Sequence, residues 1–354
     1  MAQRAGVGSQ NADHPTAAAG DEHARDGVST SRRRWLRTVG GAAAALAIRP
    51  ELLSARDRPQ DQALIQRPIP GTDERLPVVG LGGANTFAEV ALEESRDEEY
   101  SRVRGVLQAL VDGGGSVFDT AYGYGASEQV AGQVAQELGV ANRIWWATKV
   151  NAARVSGGVS EPADPDAVRY QVSRSFQRLR LRQVDLFQVH NMGDPPTQLR
   201  LLRELKDAGY VRYVGITTTF EPQYDALVDV MRTEPLDFIG IDYAVDNRSA
   251  EDVILPLAQD RGIGVMVYQP FGRTRMWARI GDRALPDWAT DFDARSWAQF
   301  MLKFVIAHPA ITVVCPGTSD PVHVVDNLGA GRGRLPDAGE LDEIVRLVDG
   351  LPGA

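Results

Sequence analysis

The sequence predicts one (β/α)8 barrel over residues 61–354, preceded by a disordered leader over residues 1–60. Three observations carry this reading. From Leu76 onward, short β-branched or aromatic runs alternate with amphipathic stretches of helical period. Eight such runs occur, and eight strands each followed by a helix close into that barrel. The runs are mostly apolar without polar alternation, as expected of strands covered on both faces.

The expected strands are PVVGLG (77–82), SVFDT (116–120), RIWWATK (143–149), VDLFQVH (184–190), VRYVGIT (211–217), DFIGIDY (237–243), GVMVYQ (264–269) and ITVVC (311–315). Helical patterns lie between them, for example over 98–113, 166–180, 197–209 and 296–309, with Gly209 and Pro309 placed as helix stops. Ser127 and Glu128 read as the opening of another helix, and a further one is expected from near Pro321. A doubly wound open sheet is the competing architecture. No G-x-G-x-x-G opens a first strand-to-helix turn, which weakens that alternative. The longest gap between strands, 270–310, is large enough to carry function.

Composition narrows the function. The 354 residues carry a net charge of −9, with 43 % hydrophobic and 24 % charged residues. An acidic chain gains nothing from phosphate attraction, so no nucleic-acid partner is expected. Cys315 is the only cysteine, and the five histidines are scattered, so neither a disulfide nor a structural metal is expected.

The leader differs from the rest. Residues 1–60 hold nine arginines and six acids, so the remainder must carry −12. Residues 31–47 read SRRRWLRTVGGAAAALA, arginines directly ahead of a short Ala-rich run. The run is shorter than the ~20 apolar residues of a membrane span, so it implies no stable membrane anchor. It resembles a twin-arginine export signal, with Arg32 and Arg33 as the pair. Ala45-Leu46-Ala47 or the region of Ser54-Ala55 offers a cleavage point. The resemblance implies the twin-arginine (Tat) export machinery as a partner and a periplasmic or exported location. An unused signal would leave the protein cytoplasmic.

In such barrels the chemistry sits where strands end. The second strand ends in Asp119, with Tyr122 and Tyr124 just beyond; the third ends in Lys149 and the fourth in His190. The fifth ends in Thr217-Thr218-Thr219 and the seventh in Tyr268-Gln269. Singly, Asp119 reads as a turn cap, Lys149 as a solvated lysine, His190 as a core histidine and the tyrosines as packing. Together they form an acid–base set suited to carbonyl reduction. Hydride arriving at a carbonyl carbon leaves charge on oxygen, which a phenol can protonate. A neighbouring ammonium lowers the phenol pKa, an acid holds the ammonium, and an imidazole orients the carbonyl. No side chain supplies hydride, so a nicotinamide must. A barrel hydrolase would need a second strand-end carboxylate, for which Asp242 is the nearest candidate.

FDTAYGYGASE (118–128) resembles the signature of the aldo-keto reductases. ATKV (147–150), DLFQVHN (185–191), YVGITT (213–218), VYQPFG (267–272) and CPGTSDPVHVVDNLGA (315–330) are similar to further segments of that family, in the same order. The resemblance implies a TIM barrel that reduces a small-molecule aldehyde or ketone with NADPH, NADH being possible. It makes Tyr124 the proton donor, Asp119 and Lys149 its tuners and His190 the orienter of substrate, leaving Tyr122 as pocket wall and Glu128 as a helix opener. It implies cofactor contacts at Thr217, Thr218, Tyr268, Gln269, Pro270, Phe271, Gly272, Gly317, Thr318, His323, Asp326 and Asn327. Three departures stand out. Thr217-Thr218 occupy the place of a Ser-Asn pair, and Gly240 that of a glutamine. Gly317 and His323 stand where many members carry a Lys and an Arg for the extra phosphate of NADPH; Arg273, Arg275 or Arg332 would have to compensate. A nucleotide-binding regulatory barrel with little turnover is the alternative. Phe87, Trp277, Trp288 and Phe292 suggest an apolar-walled pocket.

Overall fold

A computed structural model describes residues 62–90, 98–156 and 159–353 of the chain. The leader and its arginine pair lie outside these residues.

The chain enters through a hairpin that was not expected, β1 (Gln66–Pro68) paired antiparallel with β2 (Arg75–Pro77). Ile69 and Leu76 of this hairpin join Trp145, Tyr213, Phe238 and other inward residues in a core cluster inside the barrel. The barrel strands follow: β3 (Leu81–Gly82), β4 (Val117–Asp119) and β5 (Trp145–Val150). A second hairpin, β6 (Arg154–Ser156) and β7 (Val159–Glu161), follows β5. Then come β8 (Val184–Val189), β9 (Val211–Thr218), β10 (Phe238–Asp242), β11 (Gly264–Tyr268) and β12 (Ile311–Val314). Eight strands pair in parallel in the order β3-β4-β5-β8-β9-β10-β11-β12. A parallel bridge from Val79 to Val314 joins the ends and closes the barrel.

Each expected strand is present. The first is the least regular: of the six residues 77–82, Leu81 and Gly82 pair with β4, while Val79 makes the closing bridge. Gly80 between them lies tight against β4, where a Cβ would come 2.9 Å from that of Val117.

The helices outside the barrel are α1 (Glu98–Asp112), α2 (Ser127–Glu137), α3 (Pro165–Leu179), α4 (Pro195–Asp207), α5 (Tyr224–Thr233), α6 (Ile254–Arg261), α7 (Arg275–Ile280), α8 (Trp297–Ala307), α9 (Pro321–Gly329) and α10 (Ala338–Asp349). Side chains that compete with the backbone elsewhere cap several of them. Asp164 accepts from Asp166 N at the start of α3, and Ser296 accepts from Gln299 N at the start of α8. Asp337 and Glu340 complete a capping box on α10. The long segment 270–310 holds α7 and a 3-10 turn over Asp287–Phe292 before α8. Among the described residues no helix is long and apolar enough to cross a membrane, and no group of His, Cys, Asp and Glu could hold a metal ion.

Candidate active site

Strand pairing sets the site. Asp119 lies opposite Ala147 on β5, so Lys149 projects two residues further along the same face. The chain leaving β4 continues beside β5: Thr120 N donates to Ala147 O and Tyr122 N donates to Lys149 O at 3.0 Å. This places the Tyr122–Gly125 turn over the Lys149 side chain. Gln188 and His190, two residues apart, bring the next polar groups to the same mouth.

The four residues singled out at the strand ends converge. Lys149 Nζ donates to Asp119 Oδ2 at 2.5 Å and to Thr120 O at 2.9 Å. Both partners are nearly sealed from solvent, Asp119 at 3 % and Lys149 at 1 % exposure. The Tyr268 hydroxyl donates to the other oxygen, Asp119 Oδ1, at 3.1 Å, and receives a bond from Gln188 Nε2 at 3.0 Å. Lys149 Nζ lies 5.0 Å from the Tyr124 ring centroid and 4.7 Å from that of Tyr268. Tyr124 Oη stands 3.4 Å from His190 Nε2, their rings edge to face at 5.3 Å.

Burial pushes the Lys149 ammonium down, but Asp119 and Tyr124 together hold it above its ordinary range. Burial pushes the Asp119 carboxyl up against the pull of Lys149. With donors on both of its oxygens, Asp119 is matched as a carboxylate, and we assign the pair as ionised. For Tyr124 the expected lowering does not prevail: burial raises its pKa more than the Lys149 charge depresses it. The phenol is therefore held in its protonated, donor form. The His190 imidazole is lowered to about 3, first by burial and then by the Lys149 charge, and is neutral at neutral pH.

The expected cofactor contacts divide into groups. Thr217 reaches the mouth, its hydroxyl accepting from Asn191 N at 3.3 Å. Thr218 does not: its hydroxyl donates to Gln223 Oε1 at 2.6 Å and accepts from Phe220 N, which folds it into its own turn. Gln269 follows Tyr268 with a φ of 55°, its Oε1 buried without a partner, and Pro270 is buried after it. Phe271 packs on Trp277 at 5.1 Å, and Gly272 lies against Asp246. Gly317 is exposed at the head of α9, where Thr318 Oγ1 and His323 Nδ1 are 3.3 Å apart. Asn327 is buried on the same helix, while the Asp326 carboxylate accepts from Ser296 at 2.7 Å and Gln299 at 2.8 Å.

The three arginines named as replacements for a phosphate clamp are engaged. Arg332 donates to the carbonyls of Gln62 and Gly113. Arg273 donates to Thr219 O and lies 3.5 Å from Asp242, and Arg275 meets Asp246 at 3.1 Å. These last two border a polar cleft of about 730 Å³ that begins at Asn191, beside His190, and is lined also by Thr219, Asp242 and Asp246. The expected apolar wall is not found there. Phe87 and Phe292 are fully buried core residues, Trp288 packs on Phe292 and Phe300, and Trp277 packs on Phe271. Asp242, the nearest candidate for a hydrolase acid, is held by hydrogen bonds from Tyr224 at 2.6 Å and Asn247 at 2.9 Å.

Two groups escaped the reading of the sequence. Gln188 lies two positions before His190, so strand alternation alone would have found it. Glu128 does open α2, as read, but it is also buried at 1 % exposure and accepts from Thr148 Oγ1 at 2.7 Å.

Residues 78–347 match the model of the Aldo/keto reductase family. Aldo-keto reductase str7 of Strobilurus tenacellus is 26 % identical over 296 residues, covering 73 % of this chain and 83 % of that protein. The NADH-specific methylglyoxal reductase of Escherichia coli (strain K12) is 29 % identical over 197 residues, 49 % of this chain and 60 % of its own length. The crystal structure of an aldo-keto reductase from Klebsiella pneumoniae in complex with NADPH shares the fold, with a TM-score of 0.63 at 23 % identity over 81 % of this chain and 95 % of that one.

Proposed function

The chain belongs to the aldo/keto reductase family, and from that premise we propose that it reduces an aldehyde or ketone to an alcohol with Tyr124 as general acid. The observation that carries this is the convergence of a protonated phenol, a neutral imidazole and a buried ammonium–carboxylate pair at one barrel mouth.

The residues present suit a nicotinamide nucleotide. The orphaned Gln269 Oε1, one residue after Tyr268, is an acceptor for an amide N–H. The exposed Gly317 precedes α9, whose first turn is capped by the Asp320 carboxylate through Val322 N at 2.8 Å, so an anion would be met by the Gly317 backbone rather than by the helix end. A reduced nicotinamide supplies hydride when bound. The protein's own part is to manage the charge that then develops on the carbonyl oxygen. His190, neutral, orients that oxygen by donating a hydrogen bond, and Tyr124 delivers the proton. Lys149 stabilises the tyrosinate that remains, while Asp119 fixes Lys149. The reading admits NADPH or NADH: the Klebsiella relative is a complex with NADPH and the Escherichia coli relative is NADH-specific. The polar cleft beside His190 favours small, polar carbonyl substrates over bulky apolar ones.

The test is oxidation of NADPH and NADH, followed at 340 nm, with a panel of aldehydes, ketones and dicarbonyls. Turnover should be lost in Tyr124→Phe. Nucleotide binding without turnover on any substrate would favour the regulatory reading. The arginine pair motivates a separate proposal, export of the folded protein with cofactor already loaded. Cell fractionation of the wild type and of the Arg32→Lys/Arg33→Lys variant tests it; wild-type protein confined to the cytoplasm would refute it.

A further inference from the structure

The turn that carries Tyr124 is held poorly by its own backbone. Its residues 122–125 include two glycines, and Gly125 has a φ of +50°. The internal bonds are Tyr124 N to Ala121 O at 3.0 Å and Ser127 N to Tyr124 O at 2.8 Å. The Tyr124 hydroxyl itself has a long contact, 3.4 Å to His190. Something outside the turn must fix it.

Arg178, near the end of α3, reaches across to do so. Its Nη1 donates to Tyr122 O at 3.1 Å, and its guanidinium lies 4.6 Å from the centroid of the Tyr122 ring. The backbone of Tyr122 is bonded in turn to Lys149 O. Glu128 stands behind the arginine. Its Oε2 accepts no hydrogen bond and lies 3.5 Å from Arg178 Nη1, while its Oε1 is bound by Thr148, the neighbour of Lys149 in β5. An acid this deeply buried contributes little to stability, since desolvation offsets the attraction of its partner. Its placement makes sense as geometry. One carboxylate ties the strand that bears Lys149 to the arginine that grips the turn bearing Tyr124.

We propose that Glu128 and Arg178 form a clamp that positions Tyr124 relative to Lys149 and His190, so that both are positioning residues for proton delivery. Tyr122 is then the handle of the clamp rather than a wall of the pocket. The proposal rests on Tyr124 being the general acid, so wild type and Tyr124→Phe are measured first. If the wild type does not turn over, or Tyr124→Phe remains active, that reading fails before the clamp is tested.

Misplacing a reacting group by about 1 Å costs on the order of 100-fold in rate. Arg178→Met and Glu128→Gln should therefore lower kcat by about 10- to 100-fold. Nucleotide affinity, read by fluorescence titration, should stay within about twofold of wild type because neither residue belongs to the expected cofactor contacts. The solvent deuterium isotope effect on kcat should rise as proton delivery becomes limiting, a change that loss of folded protein alone would not produce. Tyr122→Ala removes the ring but keeps the main-chain carbonyl that Arg178 grips, so its kcat should fall between those of wild type and Arg178→Met. Arg178→Lys should recover part of the loss. Folded Arg178→Met and Glu128→Gln proteins with wild-type kcat and isotope effect would overturn the clamp. Should those two fail to fold, Tyr122→Ala and Arg178→Lys decide: wild-type kcat and isotope effect in both would overturn it equally.

Discussion

Removing the ammonium from Lys149 tests the centre of the site. Lys149→Met keeps the length of the side chain but leaves Asp119, at 3 % exposure, with the Tyr268 hydroxyl as its side-chain donor. Breaking a buried pair in this way costs about 3–5 kcal/mol. At roughly 2 °C per kcal/mol for a domain of this size, Tm should fall by about 6–10 °C. The penalty should also depend on pH. Burial already pushes the Asp119 carboxyl up, with Lys149 as the main opposing influence. Without Lys149 its folded pKa lies above the unfolded value of about 3.9. The folded state then keeps a proton that the unfolded state has lost, so stability falls as pH rises above that value. The deficit should be smaller near pH 5 than at pH 8. Adding Asp119→Asn removes the stranded charge and should recover most of the loss in Lys149→Met. Thermal unfolding of the four proteins of this cycle, at both pH values, provides the measurement. A double variant as unstable as the sum of its single changes, or a deficit independent of pH, would refute the ion pair as the source.

Three further outcomes follow from the geometry. Arg67 donates to the carbonyls of Ile306, His308 and Ile311 at 2.5, 2.7 and 2.5 Å, tying β1 to the end of α8. Arg67→Ala should cost about 2–4 kcal/mol in urea unfolding, since bonds from a charged donor are each worth about 1.5–3 kcal/mol and water replaces part of them. Tyr268→Phe removes the donor to Asp119 Oδ1 and strands Gln188, whose Oε1 already lacks a partner. It should cost about 1–3 kcal/mol, and adding Gln188→Leu should recover part of that, again by urea unfolding. The His190 imidazole, at about 3 when folded, stays neutral while the unfolded one binds a proton below about 6.5. Unfolded protein thus binds more protons in that window, so stability should fall as pH drops from about 6.5 toward 3, and His190→Gln should flatten that slope.

The architecture was legible because the burial rules of a barrel write themselves into sequence. Val184–Val189 and Val211–Thr218 are buried along nearly their whole length, and their runs are mostly apolar without polar alternation. The two hairpins were not legible, for opposite reasons. Gln66–Pro68 has exposed ends and gains its place from the barrel floor rather than from its own pattern. Arg154–Ser156 and Val159–Glu161 are three residues each, too short to show a period. Strand ends supplied Asp119, Lys149 and His190 because position along a barrel strand is itself a functional coordinate. Glu128 and Arg178 do not sit at strand ends. They meet from two helices fifty residues apart in sequence, and no local spacing announces such a pairing.

The departure at position 240 shows how a local absence becomes intelligible only in three dimensions. A glutamine was expected on that strand, and Gly240 stands there instead. A Cβ at this site would come within 2.4 Å of the Tyr268 ring and 2.9 Å of the Thr217 methyl group. The ring cannot yield easily, because its hydroxyl is anchored at one end of the site by Asp119 and Gln188. A long side chain on β10 and the observed pose of Tyr268 on β11 therefore exclude one another. Gly240 thus leaves the space in which the Tyr268 ring lies against the Lys149 ammonium.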